Sequence, residues 1–284
     1  MLRPSRLVLL GQPVAHSLSP VFQNAALRAC GLPLTYAACD VGAAQLEPTL
    51  RELVAAGAAG NATIPHKEQV ASICDVLTPL AQRLGAVNTW WTSDGLLHGD
   101  NTDVGGFDDA VIALLGGIPT HAKVAVLGAG GSARAVVAAV SAWPRSRVAI
   151  WSRTAARADA LVALGPSGAT TVEEFMAHAL HGADLVVNTT PIGMQDEQVP
   201  VNPAVLRDGA ACIDLVYRRH GVTPFVQLAR AQGRRADDGL PMLIAQGARA
   251  WQRWFGDIVP DRALMLRAAL GRAPDGDADG AGSR

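Results

Sequence analysis

Lysine is almost absent from this sequence. Lys67 and Lys123 are the only two among 24 basic residues, which leaves 22 arginines. Lys67 follows Pro65 at the expected start of a helix, where the macrodipole disfavours a positive charge. Because lysine can release its proton and arginine effectively cannot, the choice of lysine here favours a proton-transfer role. A surface salt bridge is the alternative for Lys67 taken alone.

An excess of charge of either sign is also lacking. The 24 basic and 25 acidic residues give a net charge of −1 at pH 7, so there is no electrostatic case for a nucleic-acid or anionic-membrane partner. No apolar stretch approaches the ~20 residues that span a bilayer. The apolar run near the N-terminus is too short for a signal peptide and is interrupted by Gly11 and Gln12. We therefore expect an intracellular protein.

Cysteine is scarce and scattered. No CxxC pair occurs among Cys30, Cys39, Cys74 and Cys212, which argues against a zinc site or a disulfide framework and suits the reducing cytoplasm. The composition is that of a globular protein, with 49% hydrophobic and 17% charged residues over 284 positions. That length allows two modest domains, each with its own core.

Short apolar runs alternate with helical patterns, which is typical of βαβ units on a parallel sheet. One series occupies residues 1–103 and a second opens at "KVAVLGAGG" within residues 104–239. The boundary is expected near "NTDVGGF", where Gly105 and Gly106 indicate a possible hinge. An amphipathic helix follows Gly239, and the Gly/Asp/Ala-rich tail 273–284 is expected to be disordered.

The second series begins with a dinucleotide-binding pattern. "KVAVLGAGGSARAVVAAV" places Gly128, Gly130 and Ala133 in a G-x-G-x-x-G/A frame between a strand and a helix. The first glycine permits a tight turn, the second lets a pyrophosphate approach the backbone, and the third position packs helix on strand. The alternative is a glycine turn in a βαβ unit that binds no nucleotide. The candidate cofactor loop comprises Gly128, Ala129, Gly130, Gly131, Ser132 and Ala133.

After the next strand, "RVAIW", NAD enzymes usually carry an acidic residue for the ribose 2′-hydroxyl. This chain has "SRTAAR" instead. Arg153 and Arg157 suit a 2′-phosphate, with hydroxyl donors from Ser152 and Thr154. The pattern therefore favours NADP, although solvated surface arginines are the alternative.

The first series contains polar residues in pairs. "HSLSP" sets Ser17 and Ser19 two positions apart, so both hydroxyls face one way in an extended segment, with Ser19 as the expected N-cap of the next helix. They form a carboxylate cradle or are a capping serine and a bystander. Further amides, hydroxyls and one carboxylate suggest a pocket for a small polyol; they are Asn61, Thr63, Asn88 and Asp103.

Eight motifs together resemble the shikimate dehydrogenase family. They are "HSLSP", "GNATIPHK", "GAVNT", "GDNTD", "GAGGSARA", "SRTAAR", "NTTPIGM" and "GLPMLIAQGA", which occur in the family's order over about residues 11–250. The resemblance implies an α/β fold with an N-terminal α/β substrate domain and a Rossmann-like domain. The active site lies in the cleft between them, and a C-terminal segment, 240–272, completes the first domain. The implied reaction is the reversible reduction of 3-dehydroshikimate to shikimate by NADPH, in a monomer or homodimer.

The resemblance also implies roles for individual residues. Lys67 and Asp103 would form the catalytic pair, with Ser17 and Ser19 on the substrate carboxylate. The ring hydroxyls would contact Asn61, Thr63, Asn88, Asp103 and Gln246. Tyr217 would lie near substrate and nicotinamide. The remaining cofactor contacts would be Thr189, Pro191, Gly239 and Met242.

Three other functions stay open at this point. One is a quinate/shikimate dehydrogenase, usually NAD-linked, against which Ser19 and Arg153 argue. Another is an aminoshikimate dehydrogenase. The third is a redox sensor that binds NADP without catalysis, which would not need the Lys67–Asp103 pair.

Overall fold

The alternating apolar and amphipathic segments build two six-stranded sheets. The computed structural model describes residues 3–271, so the prediction of a disordered tail at 273–284 lies outside the described residues. The first unit contains β1 (Leu7–Gly11), α1 (Ser19–Ala29), β2 (Tyr36–Asp40), α2 (Ala43–Ala55), β3 (Ala59–Ala62), α3 (Lys67–Ile73), β4 (Val76–Leu77), α4 (Pro79–Leu84), β5 (Thr89–Ser93) and β6 (Leu96–Asp100).

Helix α5 (Asp103–Leu115) leads into the second unit. This unit contains β7 (Lys123–Leu127), α6 (Gly131–Val140), β8 (Arg147–Trp151), α7 (Ala155–Val162), β9 (Thr170–Val172), α8 (Met176–Leu180), β10 (Leu185–Asn188), a 3₁₀ turn (Pro203–Val205), β11 (Ala211–Asp214), α9 (Pro224–Ala231) and β12 (Ala236–Asp237). The chain continues with α10 (Leu240–Phe255) and α11 (Arg262–Ala269). None of the helices within residues 3–271 is long and apolar enough to cross a membrane.

The first sheet is mixed rather than wholly parallel. Its order is β2-β1-β3-β5-β6-β4, and β5 runs antiparallel to both β3 and β6. For β5 and β6 the reason is the two-residue turn between them, where Asp94 and Gly95 have φ of 53° and 75°. Two residues can close a hairpin, whereas a parallel connection needs a crossover of a dozen or more. The expected parallel arrangement holds for β1, β2 and β3.

The second sheet is parallel throughout, in the order β12-β11-β10-β7-β8-β9. The central strands β10 and β11 are buried over their whole length because helices cover both faces, and their only polar residues, Asn188 and Asp214, stand at the carboxyl ends. The strand order reverses at β7, which lies between β10 and β8. In sheets of this kind the crevice at the carboxyl ends beside such a reversal is where ligands bind. The loops after β7 and β10 meet there.

Gly105 and Gly106 lie inside α5 and form no loop between the units. They serve helix packing instead. A Cβ on Gly105 would stand 2.8 Å from the Arg249 guanidinium, and one on Gly106 would stand 2.7 Å from Gln246 Cβ. The glycines thus let α5 and α10 approach closely, a requirement that no local pattern in "NTDVGGF" revealed.

The C-terminal helices pack against the first unit. Gln23 of α1 donates to the carbonyl oxygen of Gly247 at 3.1 Å and accepts from Trp251 Nε1 at 2.7 Å. Buried apolar residues of β1 and α1 share one core with α10 and α11, including Phe22 and Met265. The end of the chain therefore returns to its beginning, and α10 reaches the boundary between the units.

Candidate active site

A cleft of about 340 Å³ lies between the two units. Thirteen of the residues singled out in the sequence line it: Ser17, Ser19, Asn61, Thr63, Lys67, Asn88, Asp103, Ser132, Pro191, Tyr217, Gly239, Met242 and Gln246. The others lie outside its lining. These are Gly128, Ala129, Gly130, Gly131, Ala133, Ser152, Arg153, Thr154, Arg157 and Thr189. The structure therefore brings the polar residues of the first unit together and opposes them to loops of the second.

Lys67 and Asp103 form a short, buried ion pair. Lys67 Nζ lies 2.6 Å from Asp103 Oδ2, and the two side chains are 13% and 5% exposed. Lys67 is the first residue of α3 and Asp103 the first of α5. A carboxylate is favoured at a helix N-terminus and an ammonium is disfavoured. The arrangement therefore places a cation in an unfavourable position beside one strong acceptor, at the wall of a cleft.

Asn88 connects this pair to α10. Its Oδ1 accepts from the backbone N–H of Thr102 at 2.7 Å, which assigns the amide orientation. Its Nδ2 then donates to Asp103 Oδ1 at 2.8 Å and to Gln246 Oε1 at 3.0 Å. The carboxylate is thereby held from both oxygens, and residues far apart in sequence share one polar network.

Asn61 is the second amide of the network. Its Nδ2 donates to the carbonyl oxygen of Asn88 and to Thr89 Oγ1, both at 3.0 Å. Its Oδ1 accepts from the Tyr36 hydroxyl at 2.7 Å. Tyr36, Thr89 and Thr102 are not among the residues expected at the site. Signals were present for Thr89 in "GAVNT" and for Thr102 in "GDNTD", whereas Tyr36 lies in none of the motifs.

The two serines lie at the start of α1 but not as expected. The helix begins at Ser19 itself, with Leu18 in the N-cap position and no side-chain cap, so Ser19 is not the N-cap. The segment is turned rather than extended, since Ser17 N–H donates to the Val14 carbonyl at 3.0 Å. Ser17 Oγ accepts the Ser19 N–H at 3.2 Å, and it is this bond that tethers the helix start.

Tyr217 faces these serines from the second unit. Burial raises the pKa of the Tyr217 phenol, while hydrogen bonds with the Ser17 side chain and the Leu18 backbone act in the opposite direction. The phenol therefore stays protonated and can serve as a hydrogen-bond donor at neutral pH. Ser17 and Tyr217 both line the cleft, one from each unit.

The glycine-rich loop between β7 and α6 has the conformation that the pattern predicts. Gly128 has φ of 110°, and a Cβ there would stand 2.6 Å from Thr189 Oγ1. A Cβ on Gly130 would meet nothing within 4 Å, so this backbone borders open space. The first amides of α6 have no earlier helical carbonyl to bind. Open backbone and free amides at a helix N-terminus fit a pyrophosphate.

Lys67 is a neighbour of this loop. A Cβ on Gly131 would lie 3.7 Å from Lys67 Cδ. The ion pair of the first unit and the nucleotide loop of the second therefore adjoin one another across the cleft.

A buried carboxylate supports the loop after β10. Asp214 accepts from Asn188 Nδ2 at 2.8 Å and from Thr223 Oγ1 at 2.7 Å. Burial raises the pKa of Asp214 and these hydrogen bonds oppose the increase. Asn188 Oδ1 in turn accepts from the Thr190 N–H at 3.0 Å, which fixes the segment that carries Thr189 and Pro191.

The arginines after β8 are exposed. Arg153, Thr154 and Arg157 extend into solvent, and Ser152 Oγ accepts the Thr154 N–H at 3.3 Å. Within residues 3–271, neither arginine pairs with a carboxylate. β8 pairs with β7, with Trp151 beside Leu127, so these cations stand next to the glycine-rich loop. They are placed to meet an anion at that edge of the sheet.

A parallel sheet with an open glycine-rich loop, facing a cleft that carries a largely buried lysine–carboxylate pair, defines a dinucleotide-dependent oxidoreductase. Comparisons with known proteins give the family. A model described as shikimate dehydrogenase substrate binding domain matches residues 9–90, and one described as shikimate 5'-dehydrogenase C-terminal domain matches residues 239–270. The chain belongs to the shikimate dehydrogenase family.

Individual relatives agree with this assignment. The shikimate dehydrogenase (NADP(+)) of Moorella thermoacetica is 39% identical over 96% of both chains. The crystal structure of shikimate 5-dehydrogenase from Thermus thermophilus in complex with NADP(H) and shikimate is 39% identical, with a TM-score of 0.83 over 93% of this chain and 98% of that one. The resemblance and the fold class read from the sequence are thereby confirmed.

A relative with another printed activity is also similar in structure. Quinate dehydrogenase from Corynebacterium glutamicum in complex with NAD is 29% identical, with a TM-score of 0.85 over 94% of this chain and 99% of that one.

Proposed function

We propose that this protein catalyses the reversible reduction of 3-dehydroshikimate to shikimate with NADPH, a step in the biosynthesis of aromatic amino acids. The observation that carries the proposal is the buried Lys67–Asp103 pair, 2.6 Å apart, beside the glycine-rich loop. Family membership supplies the substrate class. A sensor without catalysis has no need for such a pair.

The residues present fit NADP, which supplies the hydride when bound. The pyrophosphate would be held by the loop of Gly128, Ala129, Gly130, Gly131, Ser132 and Ala133. Arg153 and Arg157, with Ser152 and Thr154, hold the 2′-phosphate, because guanidinium binds phosphate bidentately. Gly239 and Met242 would border the nicotinamide, and Thr189 and Pro191 belong to a loop beside the cofactor.

Lys67 moves the proton of the reaction. In the reductive direction Lys67 Nζ would give its proton to the carbonyl oxygen of the substrate, which becomes the new hydroxyl, with the hydride for the carbonyl carbon supplied by NADPH. In the oxidative direction the neutral amine withdraws that proton. Asp103 keeps the ammonium oriented, and Asn88 fixes the carboxylate at its other oxygen. Lysine is suited to this exchange because it can be deprotonated, whereas arginine cannot.

The rest of the cleft positions the substrate. Ser17 and Ser19 hold its carboxylate through their side-chain hydroxyls. Tyr217, which lines the same cleft, would lie near the substrate and the nicotinamide. The ring hydroxyls contact Asn61, Thr63, Asn88, Asp103 and Gln246.

The organisation of the chain follows from these roles. Residues 1–103 form the substrate domain, completed by 240–272, and residues 104–239 form the NADP domain. A cytoplasmic location agrees with the free thiols of the chain. The proposal includes a monomer or homodimer, which size-exclusion chromatography with light scattering distinguishes.

Quinate oxidation with NAD is the competing function, and the likeness to quinate dehydrogenase favours it. Aminoshikimate is a third substrate. Initial rates with shikimate, quinate and aminoshikimate, each with NADP and with NAD, decide among them. We expect the highest kcat/KM for shikimate with NADP. A preference for quinate and NAD would replace the proposal with the competing function.

The role of Lys67 is tested in the same assay. Lys67→Ala should lower kcat by about 10²–10⁴-fold with little change in KM, as expected for loss of general acid-base catalysis. Lys123→Ala is the matched control, because Lys123 bonds the carbonyl oxygens of His178 and His181 outside the cleft. Near-normal turnover of Lys67→Ala would contradict the mechanism but not the family.

A further inference from the structure

The Tyr36 hydroxyl is connected to the cleft through one other side chain, that of Asn61. Tyr36 lies in β2 and is 1% exposed. Its hydroxyl donates to Asn61 Oδ1 at 2.7 Å, and Asn61 lines the cleft. Tyr36 itself does not line it. Any influence of this hydroxyl on a bound molecule therefore passes through the Asn61 amide.

The hydrogen bonds of Asn61 are almost completely used. The carbonyl oxygen of Asn88 can only accept, so the Nδ2 group must face it, and the second N–H goes to Thr89 Oγ1. On the other side of the amide, Oδ1 takes the Tyr36 O–H with one of its two lone pairs. What remains for the cleft is a single acceptor position.

We infer that Tyr36 is a positioning residue: through its hydrogen bond it holds the Asn61 amide so that Asn61 offers only an acceptor to the substrate. This inference rests on the proposed function. A hydroxyl group can donate to such a position, whereas a ketone oxygen or a carboxylate would be repelled by it. The site thus favours the ring orientation in which a hydroxyl faces Asn61 and the carbonyl faces Lys67.

The tyrosine is fixed independently of its hydroxyl. The Asn24 side chain bonds both the backbone N–H and the carbonyl oxygen of Tyr36, at 2.9 and 2.8 Å. The ring packs against Trp254 of α10, with 6.1 Å between ring centroids. Burial raises the pKa of the phenol well above its ordinary value, and repulsion from Tyr217 when that phenol is ionised acts in the same direction, so Tyr36 remains a donor at neutral pH. Phenylalanine keeps the packing and removes the donor alone.

The experiment compares wild type with Tyr36→Phe. We expect KM for shikimate to rise by about 3- to 10-fold, the usual net value of one hydrogen bond, with an unchanged KM for NADP and an unchanged circular dichroism spectrum. In an Asn61→Ala background Tyr36→Phe should have no further effect, because the residue through which it acts is gone. An equal effect in both backgrounds, or a rise in both KM values, would mean that Tyr36 acts only on the fold and would overturn the inference.

A second arm alters the substrate and does not depend on the folding of Asn61→Ala. Wild type and Tyr36→Phe are compared on 4-deoxyshikimate and 5-deoxyshikimate. For one of these the difference between the two proteins should disappear, since the donor to Asn61 is missing. A difference that persists with both analogues would refute the inference. If the wild-type protein does not oxidise shikimate, both the proposed function and the inference are refuted. If the wild-type protein oxidises shikimate and Tyr36→Phe does not change KM for shikimate, the inference alone is refuted.

Discussion

Gln246 of α10 lies directly against Gly106 of α5. A Cβ built on Gly106 would stand 2.7 Å from Gln246 Cβ and 3.0 Å from its backbone nitrogen. The same glutamine accepts from Asn88 Nδ2 at 3.0 Å, next to the Lys67–Asp103 pair. A residue without a side chain on one helix therefore decides how deep the glutamine of another reaches into the site.

Gly106→Ala should push α10 away from α5. Overpacking of this kind typically costs about 1–3 kcal/mol in the free energy of unfolding, and the shift of Gln246 should also raise KM for shikimate. Urea denaturation and steady-state kinetics measure the two effects. Gly117→Ala is the control, because a Cβ there meets nothing within 4 Å. Equal stability of the two variants would contradict the close packing.

Asp103→Asn should lower kcat by about 10²–10³-fold, because the ammonium of Lys67 loses its carboxylate partner. The double variant with Lys67→Ala should be no slower than Lys67→Ala alone, since residues that act as a unit are not additive. Asp109→Asn on the same helix should keep normal kcat, as Asp109 pairs with Arg249 and Arg262 away from the cleft. Fully additive losses for the pair would show that the two residues act separately.

Arg153→Ala should raise KM for NADP by about 10- to 100-fold and leave KM for NAD nearly unchanged. Charge-assisted hydrogen bonds of this kind contribute roughly 1.5–3 kcal/mol, and only NADP carries the 2′-phosphate. Initial rates at varied cofactor concentration measure the change. Arg147→Ala, an exposed arginine at the opposite end of β8, should affect neither. An equal increase in KM for NADP and for NAD would show that Arg153 does not bind the 2′-phosphate.

Asp238→Asn should stabilise the protein at neutral pH but not in acid. Burial raises the pKa of Asp238 to about 6, the charges of Asp237 and Asp214 add to the increase, and the Leu240 N–H opposes it. The folded state therefore disfavours the ionised form, and the free energy of unfolding falls as pH rises from about 4 to 6. The amide still accepts from Leu240 N–H, as the carboxylate does at 2.9 Å. We expect a gain of about 1–3 kcal/mol at pH 7 that vanishes near pH 4.

Urea denaturation between pH 4 and 7.5 measures this difference. The exposed Asp208→Asn provides the comparison for a general change in net charge. A gain for Asp238→Asn that stays constant with pH would mean that titration of this carboxyl is not its cause.

Many features of this protein are determined by short stretches of its sequence. The conformation of Gly128 follows from its motif, because a tight strand-to-helix turn at positive φ requires glycine whatever the rest of the chain does. The sequence alone indicates a functional role for Lys67, because lysine is rare in this chain and is disfavoured at the start of a helix. The alternation of strands and helices can likewise be predicted from segments of about ten to twenty residues, and the second sheet follows from that alternation.

Other features depend on residues that only folding brings together. Nothing near Gly106 indicates a packed helix rather than a hinge until Gln246, 140 positions later, lies against it.

The roles of the two amides divide in the same way. That Asn61 is polar and close to Lys67 is local information. That it presents only an acceptor to the cleft is decided by Tyr36 on one side and the Asn88 carbonyl on the other. Sequence by itself determined which chemical groups this protein has for its task. Tertiary structure decided which way they point, because a hydrogen bond has a direction that its distant partners set.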